Sequence, residues 1–590
     1  MKLPFRRFDP RLAAELQTQR RPIFLGLICV AIAAGLQVCM VQLTKVSLQA
    51  IGQASAKDAH AVAELGYIGL AVVLVYALRY WFVRGQTYFL SEAAAKLAGN
   101  MRVRLFDKLQ RLPISYFNSK RSGDIQSVLT NDVGVYQTAV AIIRDSIDAP
   151  IKGIGAAVYV FIMNWQLGLI SLAFLPVMFV VIQRNGRKMR ARQLIVQRDL
   201  GNLTAMSQEA LQGIRVIKAF NAERTMSERH AAYVRTWFTS QMRAVRTLAS
   251  LRPLVEFIGA FAVAAVVYLC GWMAFHGRLQ VADLGALLLA LDIVNQGFRS
   301  YGSVNNTYGQ VQAASQRIYD EILNVPEPRD DGPTAKTLEN PTGRLEFRNV
   351  GFTYPDGTPA LKNVSFVLEP GTSLALVGPS GAGKSTIADL VLRFYDPTEG
   401  QILFDGVDAR ELKASHVRSQ IGVVPQETFL FAGSIRDNIL LGSPGAGEEE
   451  MRAAAEAAHV GAFVDLIPEG YDTELGERGV RVSGGEMQRI AIARALVRKP
   501  TLLLLDEATS NLDAVSEKAV QGALDEIMKQ RTTLFIAHRL TTAARADRIA
   551  MMRKGELIEC GSHKELMERG GAYAAMYFAF SSGVLDDALV

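Results

Sequence analysis

Long apolar stretches alternate with polar, basic segments through the first half of the chain. Residues 22–44 contain no charged residue, and a helix of about 20 apolar residues is long enough to cross a bilayer. Further apolar stretches lie near residues 65–90, 138–163, 167–182, 255–275 and 284–302. The pattern predicts six membrane-spanning helices. Because the first stretch is longer than the core of a signal peptide, we expect no cleavable signal.

The polar segments between these stretches differ in length and charge. Segments 1–21, 91–132 and 184–246 are rich in arginine and lysine, whereas the connections near residues 164–166 and 276–278 are short. Basic segments stay on the cytoplasmic side, so both termini are predicted there. Segment 184–246 is too long for a simple loop and holds little glycine or proline. It predicts long helices that leave the membrane and return.

The character of the chain changes after a stretch rich in proline, aspartate and glycine at residues 324–342, which is typical of a linker. Beyond it, short β-branched runs alternate with helical patterns, as in an α/β domain. We therefore predict a transmembrane domain over residues 1–323, a linker over residues 324–342 and an α/β domain over residues 343–590.

The composition fits a membrane protein with a soluble part. The chain has 590 residues, of which 49% are hydrophobic, and a net charge of +7. That length exceeds what one core serves. Basic cytoplasmic loops account for the charge, so no nucleic-acid partner is expected. The cysteines lack disulfide or metal-site spacing and are predicted to be packed thiols: Cys29, Cys39, Cys270 and Cys560.

One stretch of the α/β domain fits the phosphate-binding loop pattern G-x-x-x-x-G-K-[ST] without mismatch. It lies between an apolar run at 373–377 and a helical pattern at 387–392, the context that such a loop requires. Lys384 is expected to reach the β- and γ-phosphates and the Ser385 hydroxyl to bind Mg²⁺. The predicted nucleotide-contacting residues of the loop are Gly378, Pro379, Ser380, Gly381, Ala382, Gly383, Lys384, Ser385 and Thr386. The loop predicts binding of ATP or GTP, so the α/β domain is predicted to be a nucleotide-binding domain.

A second motif follows about 120 residues later, where four leucines at 502–505 precede Asp506 and Glu507. A buried strand that delivers an aspartate beside the phosphate loop is how such proteins hold Mg²⁺. We assign that role to Asp506. Glu507 points elsewhere and is predicted to polarise the water that attacks the γ-phosphate.

Residues 482–489 and the apolar helix at 490–496 resemble the ATPases of ABC transporters, and the match covers the second half of the chain in order. The resemblance implies that Tyr354 stacks on adenine and that Gln426 senses Mg²⁺ and the γ-phosphate. It also implies that His538 is a catalytic switch and that Asp513 belongs to the loop between subunits.

The signature segment departs from the commonest family form at two positions. Val482 replaces leucine and Glu486 replaces glutamine. The residues that present a hydroxyl and backbone N–H groups at a helix N-terminus are intact: Ser483, Gly484 and Gly485. Nucleotide contact by this segment is therefore expected, and the effect of the two substitutions stays open.

The first half resembles the transmembrane domain of ABC exporters. Residues 117–125 and 129–132 look like its first cytoplasmic coupling segment, and residues 209–220 look like its second. The resemblance implies a six-helix, all-α membrane domain with long cytoplasmic extensions, fused to an α/β P-loop ATPase. In this family the signature of one ATPase closes over the phosphate loop of another. Because Glu507 and His538 are present, we expect a homodimer with two working sites.

Three arginines in or near the spans are candidate substrate contacts, because charge inside a membrane is costly: Arg79, Arg144 and Arg299. Their surroundings resemble the lipid A flippase and multidrug exporter family. A group of guanidinium side chains suits a phosphorylated lipid. Alternatively, Arg79 snorkels, Arg144 pairs with Asp145 or Asp148, and Arg299 pairs with Asp292 or Glu256.

Three functions remain open at this point. The first is ATP-driven flipping or export of an amphipathic substrate, such as a lipid, across a bacterial inner membrane by alternating access. The second is export of hydrophobic drugs, for which Tyr76, Phe161 and Phe174 are candidate contacts. The third is an ATP-gated channel or regulator, against which Glu507 argues. The ATPase domain is expected on the cytoplasmic side.

Overall fold

The computed structural model describes residues 9–53, 59–276, 281–328, 335–475, 482–506, 522, 524, 526–529, 531–537 and 539–581. The chain divides into two compact units. The first contains Met1–Arg111 and Lys120–Pro326, and the second contains Leu112–Ser119 and Glu327–Val590. The short segment Leu112–Ser119 therefore belongs with the C-terminal half, although its neighbours in sequence belong to the first unit.

The first unit is helical. Its described α-helices are α1 Pro10–Thr18, α2 Arg20–Gln53, α3 Ala59–Arg111, α5 Ser122–Ser127, α6 Val133–Tyr136, α7 Ala139–Met163, α8 Trp165–Gln212, α9 Ile214–Ala219, α10 Glu223–Phe275 and α11 Val281–Gln316, while α4, Ile114–Ser119, lies in the second unit. Two π-helical turns, Val128–Asp132 and Arg317–Leu323, follow α5 and α11.

Each predicted span falls inside one of six long helices, α2, α3, α7, α8, α10 and α11. Among the described residues, three stretches are long and apolar enough to cross a membrane: Arg20–Gly52, Ala63–Arg111 and Ser122–Met163. Val263–Met273 is a shorter apolar helical stretch. Helices α8 and α10 continue well beyond their apolar parts, as the arginine-rich segment 184–246 predicts.

Helices α7 and α11 cross almost in backbone contact. A Cβ atom at Gly297 would lie 3.0 Å from the Ala149 carbonyl oxygen and 3.1 Å from Gly153 Cα, closer than a side chain tolerates. The apolar residues around this crossing form a core with α2 and α10 that includes Val41, Val160, Val266, Leu287 and Ile293. Small residues thus allow α7 and α11 to pack closely.

The cysteines differ in their surroundings. Cys270 is buried and Cys29 and Cys560 are partly buried, and all four cysteines are free thiols. Cys39 is exposed on α2, so the prediction that it is packed is wrong. Its position in an apolar run does not decide which face of the helix it occupies.

The second unit contains three described sheets. Strands β1 Leu345–Thr353, β2 Pro359–Leu368, β4 Glu399–Phe404 and β5 Val407–Asp408 form an antiparallel sheet. Strands β3 Ser373–Val377, β6 Ile421–Val424, β9 Leu502–Asp506, β10 Thr532–Ile536, β11 Arg548–Arg553 and β12 Glu556–Gly561 form a mixed sheet in the order β12-β11-β3-β10-β9-β6. Gly433–Ser434 (β7) and Glu474–Leu475 (β8) form a short ribbon.

Helices that follow β3 in sequence complete the second unit. They are α12 Lys384–Val391, α13 Ala414–Ser419, α14 Ile435–Leu440, α15 Glu448–Ala457, α16 Gly461–Val464 and α17 Gly484–Leu496, followed by Leu540–Ala543, His563–Arg569 and Ala572–Ser581. Alternate residues of a strand point to opposite faces of its sheet. Accordingly, Leu503 and Leu505 join one apolar core, and Leu502 and Leu504 join the other.

Candidate nucleotide site and membrane-domain arginines

The phosphate loop follows β3, whose five residues are all buried. Strand β3 lies between the parallel strands β10 and β11, and α12 begins at Lys384 directly after the loop. The Lys384 ammonium group is buried and donates hydrogen bonds to the carbonyl oxygens of Gly378 at 2.7 Å and Pro379 at 2.9 Å. These two bonds hold the lysine ammonium group against the loop. From this position it is predicted to reach the β- and γ-phosphates.

Two glycines of the loop hold backbone conformations that a side chain would disrupt. Gly378 has φ +148°, and a Cβ atom there would lie 2.2 Å from the Met552 carbonyl oxygen. Gly383 has φ +99°, and its Cβ would lie 2.7 Å from Leu361 Cδ2. Both the left-handed backbone and the crowding require glycine, which explains two fixed positions of the motif.

Asp506 lies at the carboxyl end of β9, as the sequence predicts. It is in register with Ile536 of β10, and β10 pairs with β3, so Asp506 and the phosphate loop share one edge of the sheet. Burial, and then the neighbouring Asp506 carboxylate, raise the pKa of Asp389 on α12 to about 6.

The donor atoms at this edge fit a magnesium ion. The Ser385 hydroxyl lies on the first turn of α12 and the Asp506 carboxylate ends β9. Mg²⁺ prefers oxygen ligands and is usually bound by one or two protein groups together with substrate phosphates. Within the described part of the chain, no group of three or more His, Cys, Asp or Glu residues is placed to bind a metal.

Tyr354 follows β1 and is fixed at both its ring and its hydroxyl. The hydroxyl shares a hydrogen bond of 2.9 Å with Thr386 Oγ1 of the phosphate loop. The ring packs edge to face against Phe352 and Tyr395, with ring centroids 4.9 Å and 5.5 Å apart. Burial raises the pKa of Tyr354. The predicted adenine platform is thus tied directly to the predicted phosphate loop.

Gln426 is exposed just beyond the carboxyl end of β6, which pairs with β9. It therefore lies at the same sheet edge as Asp506. The Thr428 hydroxyl donates to Gln488 Oε1 at 2.8 Å, which ties this loop to α17.

The signature segment caps α17. Ser483 is the N-cap: its Oγ accepts from the Glu486 backbone N–H at 3.3 Å, while the Ser483 N–H donates to Glu486 Oε2 at 2.6 Å. This is a capping box. Glu486, one of the two departures from the family form, therefore has a local structural role. Val482, the other, packs against the apolar core. Ser483 and Gly484 are exposed, whereas Gly485 is buried.

Several predicted residues are not placed by the structure. Glu507, Asp513 and His538 lie outside the described residues. Arg299 lies in α11, but its side chain is outside the described part. The roles assigned to these residues stay predictions.

Arg79 of α3 is half-buried and belongs to a polar chain that crosses three spans. Its Nη2 donates to Gln37 Oε1 of α2 at 3.0 Å, Gln37 Nε2 donates to Gln296 Oε1 of α11 at 3.4 Å, and Gln296 Nε2 donates to Asp292 Oδ2 at 2.7 Å. Arg79 Nε is buried and meets no acceptor among the described residues. Arg79 is therefore held inside the bundle instead of snorkelling.

Arg144 partly follows the alternative in which it pairs with a neighbouring aspartate. Its Nε donates to Asp145 Oδ1 at 2.8 Å, and its side chain is 44% exposed. A guanidinium group has five N–H donors, so this bond does not use up the side chain. Neither Gln37 nor Gln296 was predicted; polar amides within apolar stretches are the sequence signal that points to them.

Comparisons with known proteins agree with this architecture. The family described as "ABC transporter transmembrane region" matches residues 23–298, and the family described as "ABC transporter" matches residues 361–510. The "ATP-dependent lipid A-core flippase" of Syntrophus aciditrophicus is 36% identical over 94% of this chain and 91% of that protein. The protein of the same name from Pseudomonas aeruginosa is 39% identical over 83% of this chain and 81% of that protein.

A solved structure is also similar. The "Structure of a bacterial Atm1-family ABC exporter with ATP bound" superposes with a TM-score of 0.80 and 28% identity, over 96% of this chain and 99% of that one. The predicted fold is confirmed, and so are ATP binding, location in a membrane and ATP hydrolysis coupled to transport. The chain belongs to the ABC transporter family, as an exporter with its transmembrane and ATPase parts in one polypeptide.

Proposed function

We propose that this exporter flips a phosphorylated lipid of the lipid A–core class across a bacterial inner membrane. The observation that carries the proposal is the half-buried Arg79, which Gln37 holds inside the helix bundle while its Nε is buried without an acceptor among the described residues. Such an N–H group costs free energy until an acceptor meets it. A lipid phosphate supplies a charged acceptor. The names of the relatives support the same class of substrate.

Arg144 and Arg299 are proposed to complete the phosphate-binding group. Arginine binds phosphate through two parallel N–H donors, and several such side chains suit a headgroup with more than one phosphate. The bond from Arg144 to Asp145 orients the guanidinium.

The ATPase chemistry is assigned to residues at the edge of the mixed sheet. Lys384 exchanges the carbonyls of Gly378 and Pro379 for the β- and γ-phosphates. The Ser385 hydroxyl and the Asp506 carboxylate would hold Mg²⁺, which neutralises phosphate charge when bound. Gln426 senses Mg²⁺ and the γ-phosphate. Outside the described residues, Glu507 positions the attacking water, and His538 and Asp513 complete the site.

The proposed assembly is a homodimer with both termini and the ATPase domain in the cytoplasm. Ser483, Gly484 and Gly485 begin α17, and the first two are exposed, so they are available to the nucleotide of a second copy. The proposed domains are residues 1–323 and 343–590, joined by the linker 324–342. ATP binding closes the two ATPase domains, the coupling segments move the spans, and hydrolysis resets them.

Export of hydrophobic drugs is the second candidate. It is favoured by aromatic side chains exposed on predicted spans, Tyr76 on α3 and Phe161 on α7. The side chain of Phe174 lies outside the described part of the chain.

ATP hydrolysis measured in lipid nanodiscs distinguishes these functions. A lipid A–core preparation should stimulate the parent protein. Arg79→Ala should raise the lipid concentration for half-maximal stimulation by about tenfold, the effect of losing one charge-assisted hydrogen bond. Arg84→Ala is the matched control, because Arg84 is on the same helix and lies over the Trp81 ring at 5.4 Å. Stimulation by hydrophobic cations, with none by the lipid, would instead establish the drug exporter.

A further inference from the structure

The start of the first coupling segment, residues 117–119, forms a long-range side-chain hydrogen bond within the second unit. Helix α4, Ile114–Ser119, belongs to the second unit. Asn118 Nδ2 donates to the Tyr395 hydroxyl at 3.2 Å, across 277 positions of sequence. Neither residue belongs to the phosphate loop, the signature segment or the Asp506–Glu507 motif.

Tyr395 is connected through the backbone to the phosphate loop. Helix α12 begins at Lys384 and ends at Val391, and Tyr395 follows four residues later. The turn between them is fixed by Arg393, which has φ +50°. The Arg393 guanidinium donates to the Leu412 carbonyl and to Asp396 Oδ1 at 3.2 Å. Because this turn is short and fixed, Tyr395 is expected to move together with α12.

Tyr395 is connected a second time through its ring. The centroid of the Tyr395 ring lies 5.3 Å from that of Phe352 and 5.5 Å from that of Tyr354. The Tyr395 and Tyr354 rings meet edge to face, with an interplanar angle of 88°. Tyr354 in turn shares a hydrogen bond with Thr386 Oγ1 at 2.9 Å, and Thr386 is buried in the phosphate loop. Two routes that both start in the first turn of α12, one along the backbone and one through aromatic side chains, thus join the nucleotide site to Tyr395.

We infer that Tyr395 is a positioning residue that couples occupancy of the nucleotide site to the first coupling segment through its hydrogen bond to Asn118. The inference rests on the proposed role of Tyr354 as the adenine platform. Adenine on one face of Tyr354 restricts the tilt of that ring. Because the Tyr395 ring packs edge-on against it, the Tyr395 hydroxyl is restricted too, and Asn118 with it.

Such coupling is reciprocal, because a contact that lets nucleotide order α4 also lets α4 alter nucleotide affinity. The coupling requires the Tyr395 hydroxyl, which accepts the hydrogen bond from Asn118, in addition to the ring. Tyr395→Phe therefore tests the coupling while it retains the contacts with Phe352 and Tyr354.

The test uses the full chain in lipid nanodiscs, with no transported lipid added. Hydrogen exchange is measured for peptides covering residues 112–119 and 378–386, with and without a non-hydrolysable ATP analogue. In the parent, nucleotide should slow exchange in both segments. In Tyr395→Phe and in Asn118→Ala, the slowing at residues 112–119 should fall by about half or more, while that at residues 378–386 persists.

Steady-state ATP hydrolysis supplies the second readout. Because the contact is a single neutral hydrogen bond, the reciprocal effect on nucleotide affinity is small, and the KM for ATP should rise by less than about tenfold in both variants. The double variant should lose no more protection at residues 112–119 than either single variant, as two partners of one contact should. The matched control is Tyr471→Phe, which removes the hydroxyl of another tyrosine in this unit, one whose ring lies under Arg452 at 5.3 Å; it should behave as the parent.

Unchanged protection at residues 112–119 in Tyr395→Phe would overturn the inference. So would loss of protection in both segments with a KM raised by more than about tenfold, because Tyr395 would then act on nucleotide binding itself. If Tyr395→Phe alters the exchange of residues 112–119 before nucleotide is added, the result with Asn118→Ala determines whether the inference holds. Asn118 is exposed on α4, so its replacement should disturb the fold of that helix less. None of these outcomes depends on which substrate is transported.

Discussion

Glu346 of β1 is held between Arg348 of the same strand and Arg344, which directly precedes the strand. Arg344 Nη1 donates to its carboxylate at 2.6 Å, and Arg348 Nε donates to the other oxygen. Residues two apart on a strand share a face, which is why all three side chains meet. The hydrogen bonds from Arg348 and then Arg344 hold the pKa of Glu346 at about 2, below its usual 4.5. This carboxylate therefore favours the folded state in its ionised form.

The lowered pKa predicts a pH dependence of stability with a definite sign. The contribution of Glu346 is fully present above the unfolded pKa near 4.5 and is lost as pH falls through that value toward 2. Glu346→Gln should therefore lower the Tm at about pH 7, and the difference from the parent should shrink as pH falls toward about 3. Thermal unfolding of the detergent-solubilised chain across that range measures it.

Glu411→Gln is the control for this prediction. Glu411 pairs with Lys336 at 2.7 Å, and both side chains are more than half exposed. Exposed pairs contribute little to stability, so its Tm should follow that of the parent at every pH. A Tm difference for Glu346→Gln that widens toward low pH would contradict the assignment.

Which residues the sequence predicts depends on how far away their partners lie. The sequence predicts roles for Lys384, Ser385 and Asp506 because each stands in a contiguous motif whose neighbours fix its position. It predicts none for Gln37 or Tyr395, because Gln37 meets Gln296 across 259 positions and Tyr395 meets Asn118 across 277. Contacts of that range leave no local pattern, so they appear only once the helices and strands are packed.

Among the elements, two π-helical turns face each other in the first unit. The turn Val128–Asp132 brings the Asp132 carboxylate, 3% exposed, to Arg317 Nη2 in the turn Arg317–Leu323. The Tyr136 and Tyr319 hydroxyls lie 3.3 Å apart beside them. Single-turn π-helices often mark functional sites. Here the contact between the two turns joins residues 129–132 of the first coupling segment to the end of α11.

The ion pair between these turns predicts an unequal effect of mutation. Arg317→Met leaves a buried carboxylate without its partner and should destabilise the protein by about 1–3 kcal/mol. Asp132→Asn combined with Arg317→Met removes the charge as well and should recover part of that loss. Denaturant unfolding followed by tryptophan fluorescence measures both.

Lys120→Met provides the comparison, because Lys120 meets Glu321 at 3.3 Å and both side chains are over one-third exposed. Its effect should be below about 1 kcal/mol. A double variant no more stable than Arg317→Met would show that charge burial is not the cause.

The elements themselves were predicted unevenly. The strands at residues 373–377 and 502–506 and the long extensions of α8 and α10 follow from apolar runs and arginine-rich helical spacing. The π-helical turns do not, because one inserted residue barely changes the spacing of apolar positions along a helix. The strand order β12-β11-β3-β10-β9-β6 also depends on non-local pairing.

At the scale of the whole molecule, the exposed start of α17 bears on how many chains one ATP site needs. The capping box presents Ser483 and Gly484 outward on the ATPase unit, whereas Lys384 is buried over its own loop. In the proposed homodimer, each ATP lies between the phosphate loop of one copy and Ser483–Gly485 of the other. Mixed dimers of two differently tagged copies test this directly.

A dimer of Lys384→Ala with Gly484→Asp should place both defects in one shared site and leave the other intact. It should therefore retain up to about half of the parent ATP hydrolysis. A dimer of the parent with a copy that carries both changes damages both shared sites, so its hydrolysis should fall at least tenfold. The two dimers contain the same substitutions in the same number, so expression and stability are matched between them. If each chain completed its own site, the order would reverse: the first dimer would be inactive and the second half active.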